Sequence, residues 1–439
     1  MARITDLSTE LLLNIIFYLS AGGACDVRAL FYLCHTSRML FDVAQPALYS
    51  CVRIVESPTD PLVHLKLFLR TLIEHPLLAQ KTKELALFND RGVRYEWPAL
   101  EHDAIFMELS ALIGGHASEI EPDLCYYPLA VQVLARLPNL QHLQFTAQIE
   151  APRSLMHRIH EMRADLSILS KLKTFHLHKQ YEDGPVNIED YVPLMRYPLF
   201  EKFSSESDVP DTLDGSCAVN TLTHTAAELF WCIGPLITME KLLQTCPRLT
   251  IFKLIIPDGT RYRWLWDVGY KLLVTPRELV KALLQTHKQN LHTLHLDFHH
   301  HYSLSDPELR EEIERLEDCV YTYPSFRDFE SLTHMAIEFE KLVKVQDLPA
   351  SLEQLDLRYC HFADLDKALL LDLIQLKEKW CPEIKSVIVS GREKTSEGIS
   401  AVREHARTLD ISVYVTIDGR TLTILGGSYC LTIKSLAPL

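Results

Sequence analysis

The chain has 439 residues, a net charge of −14, 47% hydrophobic residues and 23% charged residues. This is the composition of an ordinary globular protein, and the length indicates two or three domains unless part of the chain is a repeat array. The acidic charge argues against a general binder of nucleic acid or of anionic membranes, because both need a basic surface. The eleven cysteines form no Cys-x-x-Cys pair, which indicates reduced thiols in a cytoplasmic or nuclear protein.

The first fifty residues contain three short helical patterns. Apolar residues recur at helical spacing from Leu12 to Leu19, and Gly22 and Gly23 end this segment. Asp26 can cap a second helix and Ser37 a third. Three short helices cannot bury all of these apolar side chains against each other. The first helix is apolar on more than one face and therefore predicts a docking surface for a partner.

Residues 4–54 carry an ordered motif across the three helical patterns. Its residues are Leu7, Glu10, Leu11, Leu12, Ile15, Ile16 and Leu19 in the first helix, Asp26, Val27 and Leu30 in the second, and Ser37, Arg38, Phe41, Ala44, Pro46, Leu48 and Tyr49 in the third. This order resembles the F-box, although Ser8 stands where that family usually has proline. An unrelated small helical module is the alternative interpretation.

The resemblance implies a docking role for this segment. F-box domains bury a leucine-rich face against a Skp-type adaptor, which links them to a cullin scaffold and to the ubiquitin machinery. The residues that the resemblance places at the adaptor contact are Leu7, Ser8, Leu11, Ile15, Ile16, Leu30 and Leu33.

The remainder of the chain repeats one short pattern of the form apolar-x-x-apolar-x-apolar, in which leucine is the commonest apolar residue. Most copies follow an apolar helical stretch, and helix, turn and strand in repetition resemble leucine-rich repeats. The copies begin at Leu140, Leu172, Leu249, Leu291, Leu332, Leu352 and Ile384, and the predicted helices cover residues 129–137, 159–169, 226–246, 277–285 and 368–380.

These repeats are divergent. Their spacing is irregular, the consensus asparagine of the turns is mostly missing, and a further copy is expected within residues 191–203. An ordinary α/β sheet built from βα units is the alternative, since it also has parallel strands. At the carboxyl end, two alternating strands flank the tight-turn dipeptide Asp418-Gly419 and predict a hairpin that caps the edge of the array.

The expected fold class is therefore α/β: a three-helix F-box, then a leucine-rich-repeat-like βα solenoid (horseshoe) with a carboxyl-terminal β-hairpin cap. The whole resembles the F-box/leucine-rich-repeat proteins. The expected domains are an F-box over residues 1–55, a linker and leading helix over 56–80, divergent repeats over 81–410 and the cap over 411–439.

Side chains alternate along a strand, so the residues between the apolar positions are expected on the concave face. Aligned copies place histidines beside carboxylates there, which predicts a polar, partly acidic surface that binds a protein target. Simple solvation of these residues is the alternative. The candidate target-binding residues are His176, His178, Lys253, His295, Asp297, His299, Glu338, Asp356 and Arg358.

Five histidines lie between Asn290 and Tyr302 and raise the alternative of a metal-dependent enzyme at His295–His301. His295 and His299 are four residues apart on a strand, too far to share one ion, so a third ligand would have to come from Glu338 or Glu340. The chain has no glycine-rich phosphate loop, no Gly-x-Ser-x-Gly and no His-Glu-x-x-His motif. We therefore expect no catalysis, no cofactor and no bound metal.

The predicted function is that of the substrate-recognition adaptor of an SCF-type ubiquitin ligase, with an unknown protein target and no nucleic-acid or membrane partner. A repeat scaffold that acts without ubiquitin transfer is the alternative. Because imidazoles titrate near neutrality, target binding through the histidines is expected to vary between about pH 6 and 7.5.

Overall fold

The structure, a computed structural model, describes a series of segments of the chain, which divides into two compact units, Met1–Ser204 and Ser205–Leu439. Each unit is an α/β arrangement of parallel strands. The described segments are residues 7–21, 26–56, 62–89, 126–147, 169–179, 192–206, 222, 224–230, 236–256, 274–299, 322–338, 344–359, 379–391, 412–417, 420–424 and 434–435.

The first unit begins with three helices, α1 (Thr9–Ala21), α2 (Val27–Thr36) and α3 (Arg38–Leu48). The predicted caps are present, because Asp26 accepts the backbone N–H of Ala29 and Ser37 accepts that of Leu40. Each cap satisfies a donor that the first turn of its helix leaves free. The side chains that these helices pack together are Ile16, Leu19, Leu30, Leu33, Cys34, Val43, Ala44, Ala47 and Leu48.

Parallel strands follow the helices with only a short turn between them. Strand β1 begins three residues after α3 ends, so the predicted domain boundary at residue 55 lies inside the first strand. Each strand from β1 to β3 pairs in parallel with the next one. The strands are β1 (Cys51–Glu56), β2 (Glu84–Asn89), β3 (His142–Ala147), β4 (Thr174–Lys179) and β5 (Lys202–Ser205), and the helices between them are α4 (Val63–Glu74), α5 (Pro76–Ala79), α6 (Tyr126–Ala135) and α7 (Val192–Met195).

The second unit continues the same order, and each strand from β6 to β11 pairs in parallel with the next. Strand β13 then pairs antiparallel with β12 and with β14. The elements are β6 (Ala226–Phe230), α8 (Leu236–Thr245), β7 (Ile251–Ile255), α9 (Pro276–His287), β8 (Thr293–Asp297), β9 (His334–Glu338), a 3₁₀ turn (Val345–Asp347), β10 (Gln354–Arg358), β11 (Ser386–Gly391), β12 (Ser412–Ile417), β13 (Arg420–Ile424) and β14 (Lys434–Ser435).

The structure confirms some of the helices and strands predicted from the sequence and contradicts one. Helix α4 confirms the leading helix expected within 56–80, and α6 and α9 confirm the patterns over 129–137 and 277–285. Helix α7 and the first residues of β5 lie where the further copy was expected, within 191–203. The single helix predicted over 226–246 is wrong, because its first residues form β6. The predicted helices over 159–169 and 368–380 lie mostly outside the described residues.

Backbone hydrogen bonds connect successive repeats where their strands begin. In the first unit, the Ser50 carbonyl accepts from Lys83 at 2.9 Å and from Glu84 at 3.0 Å. In the second unit, the Thr250 carbonyl accepts from His292 at 2.8 Å and from Thr293 at 2.9 Å. The carbonyl of the residue before a strand thus accepts two successive N–H groups of the next repeat.

The apolar positions of the pattern form the interior of each repeat. Leu291, Leu294 and Leu296 of one copy are fully buried, and alternation along β8 directs the residues between them to the other face. Burying leucines at this spacing fixes the register of the strand, because a shift by one residue would expose all of them. The register in turn aligns the polar residues of neighbouring strands in rows.

Candidate functional site

The three amino-terminal helices carry an exposed apolar surface, which we call the apolar face. Leu11 is 51% exposed and Phe17 is 63% exposed. Ten of the sixteen exposed large apolar side chains in the described part of the chain belong to it. The apolar face consists of Leu11, Leu13, Ile15, Phe17, Tyr18, Val27, Phe31, Tyr32, Met39 and Phe41. Concentrated exposure of this kind marks an interaction surface, whereas single exposed apolar residues do not.

The seven residues predicted to contact an adaptor form two sets, one exposed or partly exposed and one buried. Ser8, Leu11 and Ile15 are exposed, and Leu7 and Leu33 are partly exposed. These five remain available to a partner.

Ile16 and Leu30 are a correction, because both are buried in the helical core. The reason is helical periodicity: Leu12 and Ile16 are four residues apart on the stripe that α1 turns inward. The exposed Leu13 and Phe17 lie on other parts of the same helix and were not singled out from the sequence.

The second candidate site is polar and lies at the carboxyl ends of β8, β9 and β10. We call it the acidic network. Its members are Asp297, Glu338, Asp356, Arg358, Tyr323 and Tyr359. The carboxyl ends of parallel strands are the usual place for ligands in α/β sheets, because the loops that follow them converge there. The predicted register is confirmed, since His295 pairs with Ala336, Ala336 with Asp356, and Glu338 with Arg358.

Asp297 is the centre of the acidic network and is only 1% exposed. Its carboxylate accepts the Tyr359 hydroxyl at 2.7 Å and the His299 backbone N–H at 3.2 Å. A guanidinium nitrogen of Arg358 lies 3.9 Å from the same carboxylate. Three partners therefore compensate the cost of burying this charge.

Tyr359 reaches Asp297 from an unusual backbone position. Its φ is 55°, a left-handed conformation that costs a bulky residue about 1 kcal/mol or more. The hydroxyl bond to Asp297 and a stacked contact with the His299 ring, with centroids 3.8 Å apart, hold it there. Burial and the charge of Asp297 raise the pKa of the phenol, so it remains a hydrogen-bond donor at neutral pH.

Glu338 is buried close to Asp297 and accepts hydrogen bonds from the Tyr323 hydroxyl and from the Phe298 backbone N–H. Burial and the negative charge of Asp297 raise its pKa from 4.5 to about 7, although the two hydrogen bonds oppose this shift. The acidic network thus contains one carboxyl group that gains or loses a proton near neutral pH.

His295 was expected to be an exposed, titrating member of the target-binding face. Instead it is 7% exposed, and burial together with the charges of Arg358 and Lys253 lowers its pKa to about 3. Lys253 forms an ion pair with Glu228 at 2.8 Å. The group in this region that titrates near pH 7 is therefore Glu338 rather than His295.

The burial of Asp297, Glu338 and His295 corrects the expectation that they line an open surface. The polar partners described above surround Asp297 and Glu338, and the ring of Tyr323 packs against Phe298 beside them. Lys253, His299, Asp356 and Arg358 are partly exposed and remain accessible. These four, and not the three buried residues, can contact a bound molecule directly.

His176 and His178 lie in the first unit, on β4. The Nδ1 atom of His176 is 2.6 Å from the Ser204 hydroxyl, and its Nε2 atom is 3.3 Å from Nδ1 of His178. Strands β5 and β6 come between β4 and β7 in the chain. The neighbour of Lys253 across the sheet is Glu228.

Within the described part of the second unit, no three ligand atoms of His, Cys, Asp or Glu lie within 4.8 Å of one another. His300, His301 and Glu340 lie outside the described residues.

Three polar residues that take part in these contacts were not identified from the sequence. Glu228 was hidden by the incorrect helix over 226–246, while Tyr323 and Tyr359 have no position in the repeated pattern. Tyr359 directly follows the strand residue Arg358, and that position at a strand end was the signal that could have identified it.

Comparison with known proteins adds no relative. A scan against models of protein families finds no match, and a search of curated proteins finds no significant similarity. Among the described residues, every helix is too short or too polar to cross a membrane.

Proposed function

We propose that this chain is the substrate-recognition adaptor of an SCF-type ubiquitin ligase. The observation that carries the proposal is the apolar face of the three amino-terminal helices, joined directly to a sheet of parallel, repeat-like strands. Within the first unit, β1 follows α3 after two turn residues and pairs with β2. A module that binds an adaptor and an array that binds a target would then be connected without a long flexible linker.

The apolar face supports the docking half of the proposal. Burial of its leucines, phenylalanines and tyrosines against a partner would release about 25 cal/mol for each Å² of apolar surface. Aromatic residues such as Phe17, Phe31 and Tyr32 are the side chains that dominate binding energy in protein interfaces. We propose a Skp-type adaptor as the partner, and through it a cullin scaffold.

The accessible polar residues of the sheet support the recognition half. Lys253 on β7 and Asp356 and Arg358 on β10 are partly exposed and carry charges of both signs, with β8 and β9 between the two strands. Such a surface suits a protein segment with complementary charges. The chain itself would perform no chemistry, because an adaptor acts by raising the effective concentration of a target near the transferring enzyme.

Co-purification with a Skp-type adaptor tests this function. The double variant Leu11→Asp with Ile15→Asp places charges on the exposed apolar face and is expected to lower adaptor binding at least tenfold. Leu77→Asp is the matched control, because Leu77 is 71% exposed on α5 in the same unit. The control variant is expected to bind as the wild type does.

Two outcomes separate the alternatives. If the wild-type chain does not bind the adaptor, or if the double variant binds as well as Leu77→Asp, the proposed function is wrong. If adaptor binding is normal but the variant Leu11→Asp with Ile15→Asp changes the half-life of no associated protein, the chain is a scaffold without ubiquitin transfer.

A further inference from the structure

Two histidines of the first unit face each other on strand β4. His176 and His178 are two residues apart, so alternation places both side chains on the same face of the strand. The Nε2 atom of His176 lies 3.3 Å from the Nδ1 atom of His178. Both residues are partly exposed. The pair therefore lies at the surface, where an ion from solvent can reach it.

The separation of the two nitrogen atoms suits a tetrahedral metal ion. Zinc binds imidazole nitrogen at about 2.0–2.1 Å, so two ligands of a tetrahedral zinc ion are about 3.3–3.4 Å apart. The distance of 3.3 Å between the two histidines matches this value. Imidazole ligands favour zinc, copper and nickel, whereas magnesium and calcium prefer oxygen ligands. The pair thus has the ligand type and the spacing for a divalent transition metal.

Neighbouring side chains orient both rings. The Nδ1 atom of His176 is 2.6 Å from the hydroxyl oxygen of Ser204, on β5. When the hydroxyl accepts the N–H at Nδ1, the Nε2 atom keeps its lone pair, which is the arrangement that metal-binding histidines use. The ring of Phe88, on β2, packs against the His178 ring with centroids 4.9 Å apart. Because the rings are oriented in advance, an ion that binds them orders little more of the chain.

We propose that His176 and His178 chelate one divalent transition-metal ion, with zinc as the first candidate. Their nitrogens fill two positions of a tetrahedral ion, and water or a bound protein segment can fill the others. The net charge of −14 favours the approach of a cation. This site is separate from the histidines between Asn290 and Tyr302, and it departs from the expectation of no bound metal. The inference does not rest on the proposed function.

Zinc binding to the full-length, tag-free chain tests the proposal. Competition with a fluorescent zinc indicator at neutral pH measures the affinity of the tightest site. His176→Gln and His178→Gln each remove one ligand and keep a polar side chain. Ser204→Ala keeps both ligands and removes the partner that orients His176. Each of the three variants is expected to weaken zinc binding about tenfold or more, since even the outer partners of metal ligands contribute about 10–100-fold.

A matched control separates this pair from the other histidines of the chain. His75→Gln removes an exposed histidine between α4 and α5 of the same unit and is expected to leave the zinc affinity unchanged. All the variants share the cysteines and most of the histidines, so the differences between them report the pair on β4. Melting temperatures measured alongside identify a variant that fails to fold, in which case Ser204→Ala carries the test.

Electron paramagnetic resonance distinguishes ligation from a structural effect of the substitutions. With a substoichiometric amount of Cu²⁺ in place of zinc, the wild type is expected to show hyperfine splitting from two nitrogen ligands. Ser204→Ala, which keeps both ligands, is expected to give the same spectrum with weaker binding. His178→Gln is expected to lose it.

Three results would overturn the proposal: no zinc binding by the wild type, an unchanged affinity in His176→Gln and His178→Gln, or an equal loss in His75→Gln. Failure of this site is distinguishable from failure of the proposed function. The chain carrying Leu11→Asp and Ile15→Asp is expected to bind zinc as the wild type does, and His176→Gln is expected to bind the adaptor as the wild type does.

Discussion

In the amino-terminal helices, large apolar side chains lie in solvent, whereas at the carboxyl ends of β8 to β10 carboxylates lie in the interior. Folded proteins usually do the reverse, so each region needs its own physical explanation. The acidic network finds partners within its own unit, through two tyrosine hydroxyls, backbone N–H groups and Arg358. The apolar face is exposed, and we propose that a partner protein buries it.

This difference means that substitutions in the two regions should change different observables. Residues of the acidic network contribute to the fold, so their loss should lower the free energy of unfolding and alter its dependence on pH. Residues of the apolar face contribute little to the stability of the isolated chain, so their substitution should affect adaptor binding alone. The predictions below test this contrast, in order of decreasing effect on stability.

The largest effect is expected for Asp297→Ala. The substitution leaves the Tyr359 hydroxyl, the His299 N–H and the nearby Arg358 charge without their common acceptor. Removing one partner of a buried ionic group costs about 3–5 kcal/mol of unfolding free energy. Equilibrium urea unfolding at pH 7 measures it. Asp328→Ala, at an exposed position, should change stability by less than about 0.5 kcal/mol, and equal losses in both variants would contradict the central role of Asp297.

A smaller, pH-dependent effect is expected for Glu338→Gln. Because the pKa of Glu338 is raised from 4.5 to about 7, the folded protein binds this proton more tightly than the unfolded chain does. The contribution of Glu338 to stability is therefore complete below pH 4.5 and is lost as the pH rises to 7, by about 3 kcal/mol in all.

The difference in unfolding free energy between Glu338→Gln and the wild type isolates this contribution. The variant should gain stability relative to the wild type between about pH 5 and 8, because it carries no proton to lose. A difference that stays constant over this range would show that Glu338 does not titrate there.

His295→Gln should show the opposite sign in a more acidic range. The pKa of His295 is lowered from 6.5 to about 3, so the unfolded chain binds the proton and the folded protein does not. The wild type therefore loses stability as the pH falls from about 6.5, by about 2–3 kcal/mol at pH 4.5, and the variant lacks this loss. Urea unfolding at pH 7.5 and pH 4.5 checks it, and a pH-independent difference between the two proteins would contradict the burial of a neutral imidazole.

The smallest effect on stability is expected for Phe17→Ser on the apolar face. Phe17 is 63% exposed, so its substitution should change the free energy of unfolding by less than about 0.5 kcal/mol while weakening adaptor binding. Leu12→Ser, on the buried stripe of the same helix, should cost about 2–5 kcal/mol. If Phe17→Ser destabilised the chain as much as Leu12→Ser, the apolar face would belong to the fold rather than to a partner.

The sequence predicted much of the local structure because local patterns encode it. Asp26 and Ser37 identified the starts of α2 and α3, since a capping side chain acts within three residues of its own position. The repeated apolar pattern located β3, β4 and β7 to β11, because burial at fixed spacing leaves one register only. Strand β6 was not predicted because its residues, AAELF, do not alternate between apolar and polar and occur in helices as readily as in strands.

By itself, the sequence determined the parallel α/β arrangement, the helix caps and the rows into which His295, Ala336 and Asp356 fall. These follow from periodicity and short-range hydrogen bonding. Only the tertiary structure decided that Ile16 and Leu30 lie inward, that Asp297 and Glu338 are buried together, and that Tyr323 and Tyr359 donate to them. Burial and pKa depend on side chains that are distant along the chain, and no pattern within a single strand specifies which of them will meet.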